Sequence, residues 1–364
     1  MVRLFSEVFK NKKIIITGDT GFKGSWLGLW LLQLGAEVYG YSLPPERVED
    51  NFNVCNLASH INHIDNDIRD LDKIVSYFKK VQPDICFHLA AQPLVLRSLE
   101  NPYETFSTNI MGTVNFFEAV RTTPSIKIAI NVTSDKCYEN KEWDKGYLEN
   151  DRMGGKDPYS ASKSASEIIT TSYLESFFSF PNIINISSVR AGNVIGAGDW
   201  NQNRIIPDYF KAKKTNSKLV VRNPNSTRPW QHVLEPLSGY LHLASKLFLK
   251  DGKKYIGGWN FGPNDDNNYT VLDLIYEIQK YDKGLDIKFE ENNNNVEAKL
   301  LKLNISKAIN EIGWKPTLDF AETIKHTVNG YISDFNGDSS IENRLQTLEA
   351  YIKSAKKQKL SWSL

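Results

Sequence analysis

Lys13-Ile14-Ile15-Ile16-Thr17-Gly18-Asp19-Thr20-Gly21-Phe22-Lys23-Gly24 decides the fold. The β-branched apolar run Lys13 to Thr17 predicts a strand, and it leads directly into glycines spaced G-x-x-G-x-x-G. A helical pattern follows from Ser25 to Leu34 and is closed by Gly35. Strand, glycine turn and helix, in that order, form the loop that cradles a dinucleotide pyrophosphate. Gly18 permits the tight turn, Gly21 lets the backbone approach the phosphates, and Gly24 lets the helix pack close to the strand. Thr20, Phe22 and Lys23 belong to the same loop, and the helix N-terminus offers unpaired N–H groups to the anion. A glycine-rich turn alone is usually only a turn; its position here gives it the function.

The strand–helix alternation continues. Strands are expected at Val38 to Ser42, within Ile61 to Ile68, and at Ile85 to Ala90, Lys127 to Thr133 and Ile183 to Ala191. Helices are expected at Leu71 to Val81, around Thr105 to Arg121, and at Ser160 to Phe178. This rhythm implies an α/β fold, a Rossmann-type doubly wound parallel sheet joined by right-handed crossovers. After Gly192 the segments shorten, and helical patterns return at Glu235 to Leu249 and Val271 to Tyr281. We therefore divide the chain into a dinucleotide-binding domain over 1–191 and a smaller mixed substrate-binding region over 192–364. The second region is allowed to return a strand or helix to the first. The Asn-rich stretch Glu291 to Asn295 reads as a surface loop.

The 364 residues are 41% hydrophobic, enough to bury a sizeable core. A balance of 44 basic and 43 acidic residues gives no reason to expect a nucleic acid or an anionic membrane as partner. Cys55, Cys86 and Cys137 are widely spaced, which argues against disulfides and against a metal site. Met1 to Asn11 lacks the apolar region of a signal peptide, and no run is long enough to span a bilayer. A cytoplasmic protein is the expectation.

Several polar residues then fall at strand ends, where ligands bind in such sheets. The second strand ends in Tyr41-Ser42-Leu43 without the acid that NAD sites usually carry. Ser42 suits either a ribose hydroxyl or a phosphate, and Arg47 is close enough in sequence to meet a 2′-phosphate. NAD is expected, with NADP still open. Asp67, followed by Ile68, can accept from an adenine amine or serve as a simple turn residue. Tyr159 and Lys163 stand at i and i+4, sharing one helix face. An ammonium there favours the phenolate, which can take a proton from a sugar hydroxyl while hydride leaves the same carbon. The fifth strand ends in Thr133-Ser134-Asp135-Lys136, a hydroxyl, a carboxylate and an amine in succession.

These residues, with His88-Leu89-Ala90-Ala91-Gln92, resemble the extended short-chain dehydrogenase/reductase superfamily. Within it the chain is similar to the CDP-glucose 4,6-dehydratases. The strings are Thr133 to Tyr138, Met153-Gly154-Gly155, Arg190-Ala191-Gly192-Asn193-Val194-Ile195-Gly196, the long Arg228 to Tyr240 segment and Gly258 to Asn264. Asp19 departs from the family, which more often has His there, and Asn203 stands where an acid is usual. The dTDP-glucose and GDP-mannose dehydratases have Asp-Glu where this chain has Asp135-Lys136.

The resemblance implies CDP-glucose as substrate, a tightly held NAD, and a homodimer pairing the helices near Thr105 to Arg121 and Ser160 to Phe178. It implies cofactor contacts from Leu89, Ala90, Ala91, Gln92 and Thr108, besides the glycine loop, Ser42, Asp67, Ile68, Tyr159 and Lys163. Ser134, Asp135, Lys136, Tyr159 and Lys163 are the implied catalytic residues. Asp135 would protonate O6 with Lys136 as base at C5, or the reverse. Asn193, Arg204 and Arg228 are implied for the substrate diphosphate, with His232 either against the nucleotide or simply packed. A sugar-nucleotide 4-epimerase or another dehydratase on the same fold, and a non-catalytic dinucleotide-binding module, are the rival readings.

Overall fold

Strand β1 (Lys13–Thr17) lies inside a seven-stranded parallel sheet with β2 (Glu37–Ser42), β3 (Asn62–Asp65), β4 (Ile85–His88), β5 (Ile128–Val132), β6 (Asn185–Ala191) and a last strand, Gly257–Phe261. The computed structural model describes residues 4–179, 184–264, 269–290, 301–337 and 340–364. The Asn-rich stretch 291–295 lies outside them. The sheet order is Gly257–Phe261, β6, β5, β4, β1, β2, β3, and every neighbouring pair is parallel. The order reverses between β1 and β4, which opens a crevice at their carboxyl ends.

Side-chain alternation divides the central strands between two cores. Ile14, Ile16, Phe87 and Ile130 join Trp26, Trp30, Leu241 and Trp259 on one face. Ile15, Cys86, Ala129 and Ile186 join Phe78, Phe116 and Phe117 on the other. Burying each large apolar side chain contributes about 1.5–3 kcal/mol. Burial on both faces explains why these strands read as continuous apolar runs rather than as alternating ones.

The helix Pro158–Tyr173 is positioned by its start. Pro158 occupies the first turn, and the Asp157 carboxylate accepts from Ser160 N–H at 2.9 Å. Tyr159 therefore falls in the first turn and Lys163 one turn on. The expected helix around Thr105 to Arg121 is broken into Pro102–Phe106, a wide π-turn Ser107–Met111, and Gly112–Arg121. The wide turn presents Asn109, whose Oδ1 accepts from Gln92 N–H at 2.8 Å and whose Nδ2 donates to Ser162 Oγ at 2.9 Å.

Residues beyond Gly192 contribute to two cores. Helix Leu234–Leu247 and strand Gly257–Phe261 complete the first face of the sheet. Ile206, Phe210, Trp230, Leu274, Ile278, Phe320 and Val328 form a separate cluster beside it. Helices Phe320–Phe335 and Ile341–Lys357 are additions to the sequence reading. The latter is tied back by Arg344, which donates to both Asp334 oxygens at 2.7 Å and to Asn51 Oδ1 at 2.8 Å.

A buried ion pair fixes β5, β6 and the Tyr159 helix to one another. Arg190 on β6 donates to both oxygens of Glu167, at 2.9 and 2.8 Å. Glu167 also accepts from Thr133 Oγ1 and, at 2.6 Å, from Ser188 Oγ. Burial pushes the Glu167 carboxyl up, but the arginine charge and these hydrogen bonds outweigh it and hold it below its usual range. Its contribution to stability is therefore present above the unfolded carboxyl pKa, about 4.3, and is lost as pH falls through the folded value. Glu167→Gln leaves the Arg190 charge uncompensated, so we expect a loss of about 3–5 kcal/mol in urea unfolding at pH 7. The difference from the parent should shrink in acid, as the parent loses its own carboxylate.

Candidate active site

The glycine loop closes the crevice from one side. Gly18 adopts φ +79°, and a Cβ there would lie 2.6 Å from Ala90 N. Only a glycine fits between this turn and the end of β4. A Cβ on Gly24 would lie 2.1 Å from Gly18 O, so the helix Phe22–Gln33 packs directly on its own loop. Gly21 is different: its Cβ would meet only Gly18 O, at 3.3 Å. No side chain caps this helix, and no acid sits in its first turn. The backbone is thus open at Gly21, and the first N–H groups face it without a capping side chain, as a diphosphate requires.

Other expected cofactor residues gather along the same crevice. Leu89 N–H donates to Thr17 O at 2.9 Å, and Ala90 N–H to Thr17 Oγ1 at 3.4 Å. Gln92 is buried and donates through Nε2 to Thr105 Oγ1 at 2.8 Å. Thr108 is half-buried in the wide turn that carries Asn109. Ser42 ends β2 and lies 2.9 Å from Thr20 Oγ1. Asp67 is engaged locally: its Oδ1 accepts from Arg69 N–H at 2.9 Å, and it pairs with the Arg69 guanidinium. Ile68 is buried, and its carbonyl accepts from Asn115 Nδ2 at 2.9 Å. Arg47 is 3.3 Å from Glu46 Oε2 and 3.7 Å from Asp50 Oδ1, so its charge is shared between two acids.

The catalytic candidates converge at the end of β5. Ser134 Oγ donates to Asp135 Oδ1 at 2.9 Å, and its hydroxyl also lowers the Tyr159 phenol. Ser134, Asp135, Tyr159 and Lys163 are all buried, while Lys136 is half-buried. Burial raises the Tyr159 phenol to about 12, against the pull of Ser134 and of the Arg204 charge. The depression expected from Lys163 is not among these influences. The Lys163 ammonium donates instead to Val132 O at 3.3 Å, and burial lowers it to about 8. Lys23, from the glycine loop, is likewise lowered to about 8 by burial, with the Asp135 charge opposing the shift. The ring of Tyr240 lies 6.0 Å from the Lys23 ammonium, and its buried hydroxyl has no partner among the described residues.

The substrate-side residues separate. Arg204 pairs with Asp199 at 2.6 Å, and its charge reaches both Tyr159 and Lys23. Arg228 lies on a short strand and donates to Thr227 O at 2.9 Å; its neighbour Pro229 and Asp135 both flank Gly192. Asn193 is exposed. His232 is fully buried, with its ring 6.1 Å from Trp26 and 6.2 Å from His326. Burial lowers it to about 3, with the His326 charge adding to the shift, so it packs as a neutral ring. Sequence reasoning missed Asn109, Glu167, Arg190 as a clamp, and His63, which lies 2.7 Å from Asp19. Lys23 was expected as a cofactor-loop residue, and the structure adds its electrostatic link to Asp135.

A family model described as GDP-mannose 4,6 dehydratase matches residues 15–327. A CDP-glucose 4,6-dehydratase of Salmonella typhimurium is 43% identical over 338 residues, covering 92% of this chain and 94% of that protein. Among solved structures, an epimerase of Methanothermobacter thermautotrophicus superposes with a TM-score of 0.77 at 20% identity, covering 92% of this chain and 97% of that one. A dTDP-glucose 4,6-dehydratase of Streptomyces venezuelae, solved with NAD bound, gives 0.75 at 19% identity, covering 89% and 98%. These two share the fold, and the family match spans both the sheet and the region beyond it. The chain belongs to the GDP-mannose 4,6 dehydratase family, within the extended short-chain dehydrogenase/reductases.

Proposed function

We propose that this protein is a CDP-glucose 4,6-dehydratase, converting CDP-glucose to CDP-4-keto-6-deoxyglucose and water through a tightly held NAD. The observation that carries the reading is the buried cluster of Tyr159, Ser134 and Asp135 beside Lys136, at the mouth of an open glycine loop. The 43% identity to a CDP-glucose 4,6-dehydratase supports the nucleotide.

NAD, held by the glycine loop, would supply a reversible hydride acceptor for the sugar. Tyr159 takes the O4 proton, and Ser134 steadies the charge that develops there. Lys163 would hold the nicotinamide ribose. The C4 ketone acidifies C5–H, so water can leave across C5 and C6. Asp135 and Lys136 divide the remaining proton transfers: removal at C5, donation to O6, and return of a proton to C5 as the hydride reaches C6. An epimerase has no use for this second pair. The charges of Arg204 and Arg228 suit the substrate diphosphate. Exposed Met111, Ile168 and Phe177 on the helices around the π-turn and after Tyr159 support a homodimer. A cytoplasmic location fits the sugar-nucleotide substrate, and the product class suits deoxysugar synthesis for surface polysaccharide such as O-antigen.

Purified protein with CDP-glucose and NAD should give a sugar nucleotide lighter by one water, without accumulating NADH, by mass spectrometry and absorbance. Loss of water only from another nucleotide sugar would overturn the CDP assignment, and an unchanged mass would favour epimerisation. Tyr159→Phe should abolish turnover while retaining dinucleotide binding. Ser134→Ala removes a hydroxyl that lowers the Tyr159 phenol, so Tyr159 should titrate higher still. Its kcat/KM should fall about tenfold for each unit of that rise at neutral pH, and recover in part as pH increases. A loss equal at all pH values would contradict this role.

A further inference from the structure

The carboxyl end of β2 is where a dinucleotide-binding sheet meets the adenosine ribose. NAD sites usually place an acid there, to accept from the 2′-hydroxyl. Here that position holds Ser42, whose hydroxyl donates to Asp19 Oδ1 at 2.9 Å. Asp19 comes from the glycine loop and is fully buried. Its Oδ2 lies 2.7 Å from His63 Nδ1, and His63 Nε2 lies 2.9 Å from Asp65 Oδ1. The pocket for this carboxylate is shaped by Gly40, where a Cβ would lie 2.0 Å from Asp19 Oδ2.

The protons of the cluster can be assigned. A carboxylate only accepts, so the single Ser42 hydroxyl proton goes to Asp19. Thr20 Oγ1 is 2.9 Å from Ser42 Oγ and 2.9 Å from Leu43 O, so its own proton is committed to those acceptors. Thr20 N–H also points to Ser42 Oγ, at 3.4 Å. Neither hydroxyl retains a proton for a ligand, and Ser42 can present only a lone pair. With both ring nitrogens facing carboxylates, His63 donates to each. Burial opposes its charge, and Asp19 and Asp65 outweigh burial. Two carboxylates to one imidazole leave the unit net negative.

A ribose 2′-hydroxyl brings its own proton and matches this surface. A 2′-phosphate brings only acceptors and negative charge, and Arg47 is already paired with Glu46 and Asp50. We propose that Asp19, acting through Ser42, selects NAD over NADP: the glycine loop supplies, from behind a serine, the acid that β2 lacks. Asp19 is thus a positioning residue for specificity. The inference rests on reading the loop as a dinucleotide site.

The test is calorimetric titration of the nucleotide-free, full-length protein with NAD and with NADP. The parent should bind NAD at least about tenfold more tightly than NADP, the upper scale of one ordinary hydrogen bond. Asp19→Ala frees the Ser42 proton and removes the charge, so the preference should fall about tenfold, mainly through tighter NADP binding. Asp19→Asn keeps the shape and one acceptor, so its preference should lie between the two; it decides the matter if the alanine variant does not fold. Ser42→Ala should weaken NAD without strengthening NADP. A purely structural Asp19 would weaken both nucleotides in proportion and leave the ratio unchanged, which overturns the proposal. Equal binding of the two by the parent also overturns it. Binding of neither nucleotide overturns the dinucleotide reading itself, and is distinguished from the other outcomes by that fact.

Discussion

The pair between Glu167 and Arg190 is the constraint on which the site depends. Glu167 lies one turn beyond Lys163 on the same helix, and Arg190 is near the end of β6. Thr133, which gives its hydroxyl proton to Glu167, immediately precedes Ser134. Arg190 also reaches Tyr138 at 2.5 Å, across the segment that carries Asp135 and Lys136. One ion pair thus sets the distance between the helix bearing the phenol and the strand end bearing the acid–base groups. Both partners are almost fully buried, so solvent screens the attraction little. Such a pair adds less to stability than its Coulomb energy suggests, since both charges were taken from water. Its value here is geometric.

The same burial shapes the proton chemistry. Tyr159 is raised and Lys163 lowered for one reason: a dry cavity disfavours whichever form is charged. The polypeptide alone therefore holds the Tyr159 phenol neutral at neutral pH. A positive group entering the crevice would reverse part of that penalty. In the proposed reaction, the base becomes competent when the oxidant is in place.

The parallel sheet was legible because strands buried on both faces leave apolar runs, and the glycine loop marked where its crevice opens. The Tyr159 and Lys163 pair was legible because a fixed spacing on a helix survives any packing. What was illegible depended on partners far apart in the chain. Nothing near Asp19 announces His63, 44 residues later. The helix start at Phe22 instead of Ser25 reflects a glycine cap that periodicity does not register. The break at Ser107–Met111 has no glycine or proline inside it, and arises where Asn109 must reach Gln92. His232 sits in a family-like string, but its burial between Trp26 and His326 is a property of packing.

The late edge strand has a consequence for biosynthesis. Gly257–Phe261 pairs with β6, and helix Leu234–Leu247 covers the face of the sheet that includes Ile130 and Val189. When the ribosome has released β6, Tyr159 and the whole glycine loop are already outside the exit tunnel. The sheet they belong to still has an open edge and a bare apolar face. Such a nascent chain can form local helices, yet its cooperative unit closes only after residue 261 emerges. Until then it presents the kind of surface that chaperones hold, and a message truncated just past Ala191 would yield a sticky fragment rather than a working half.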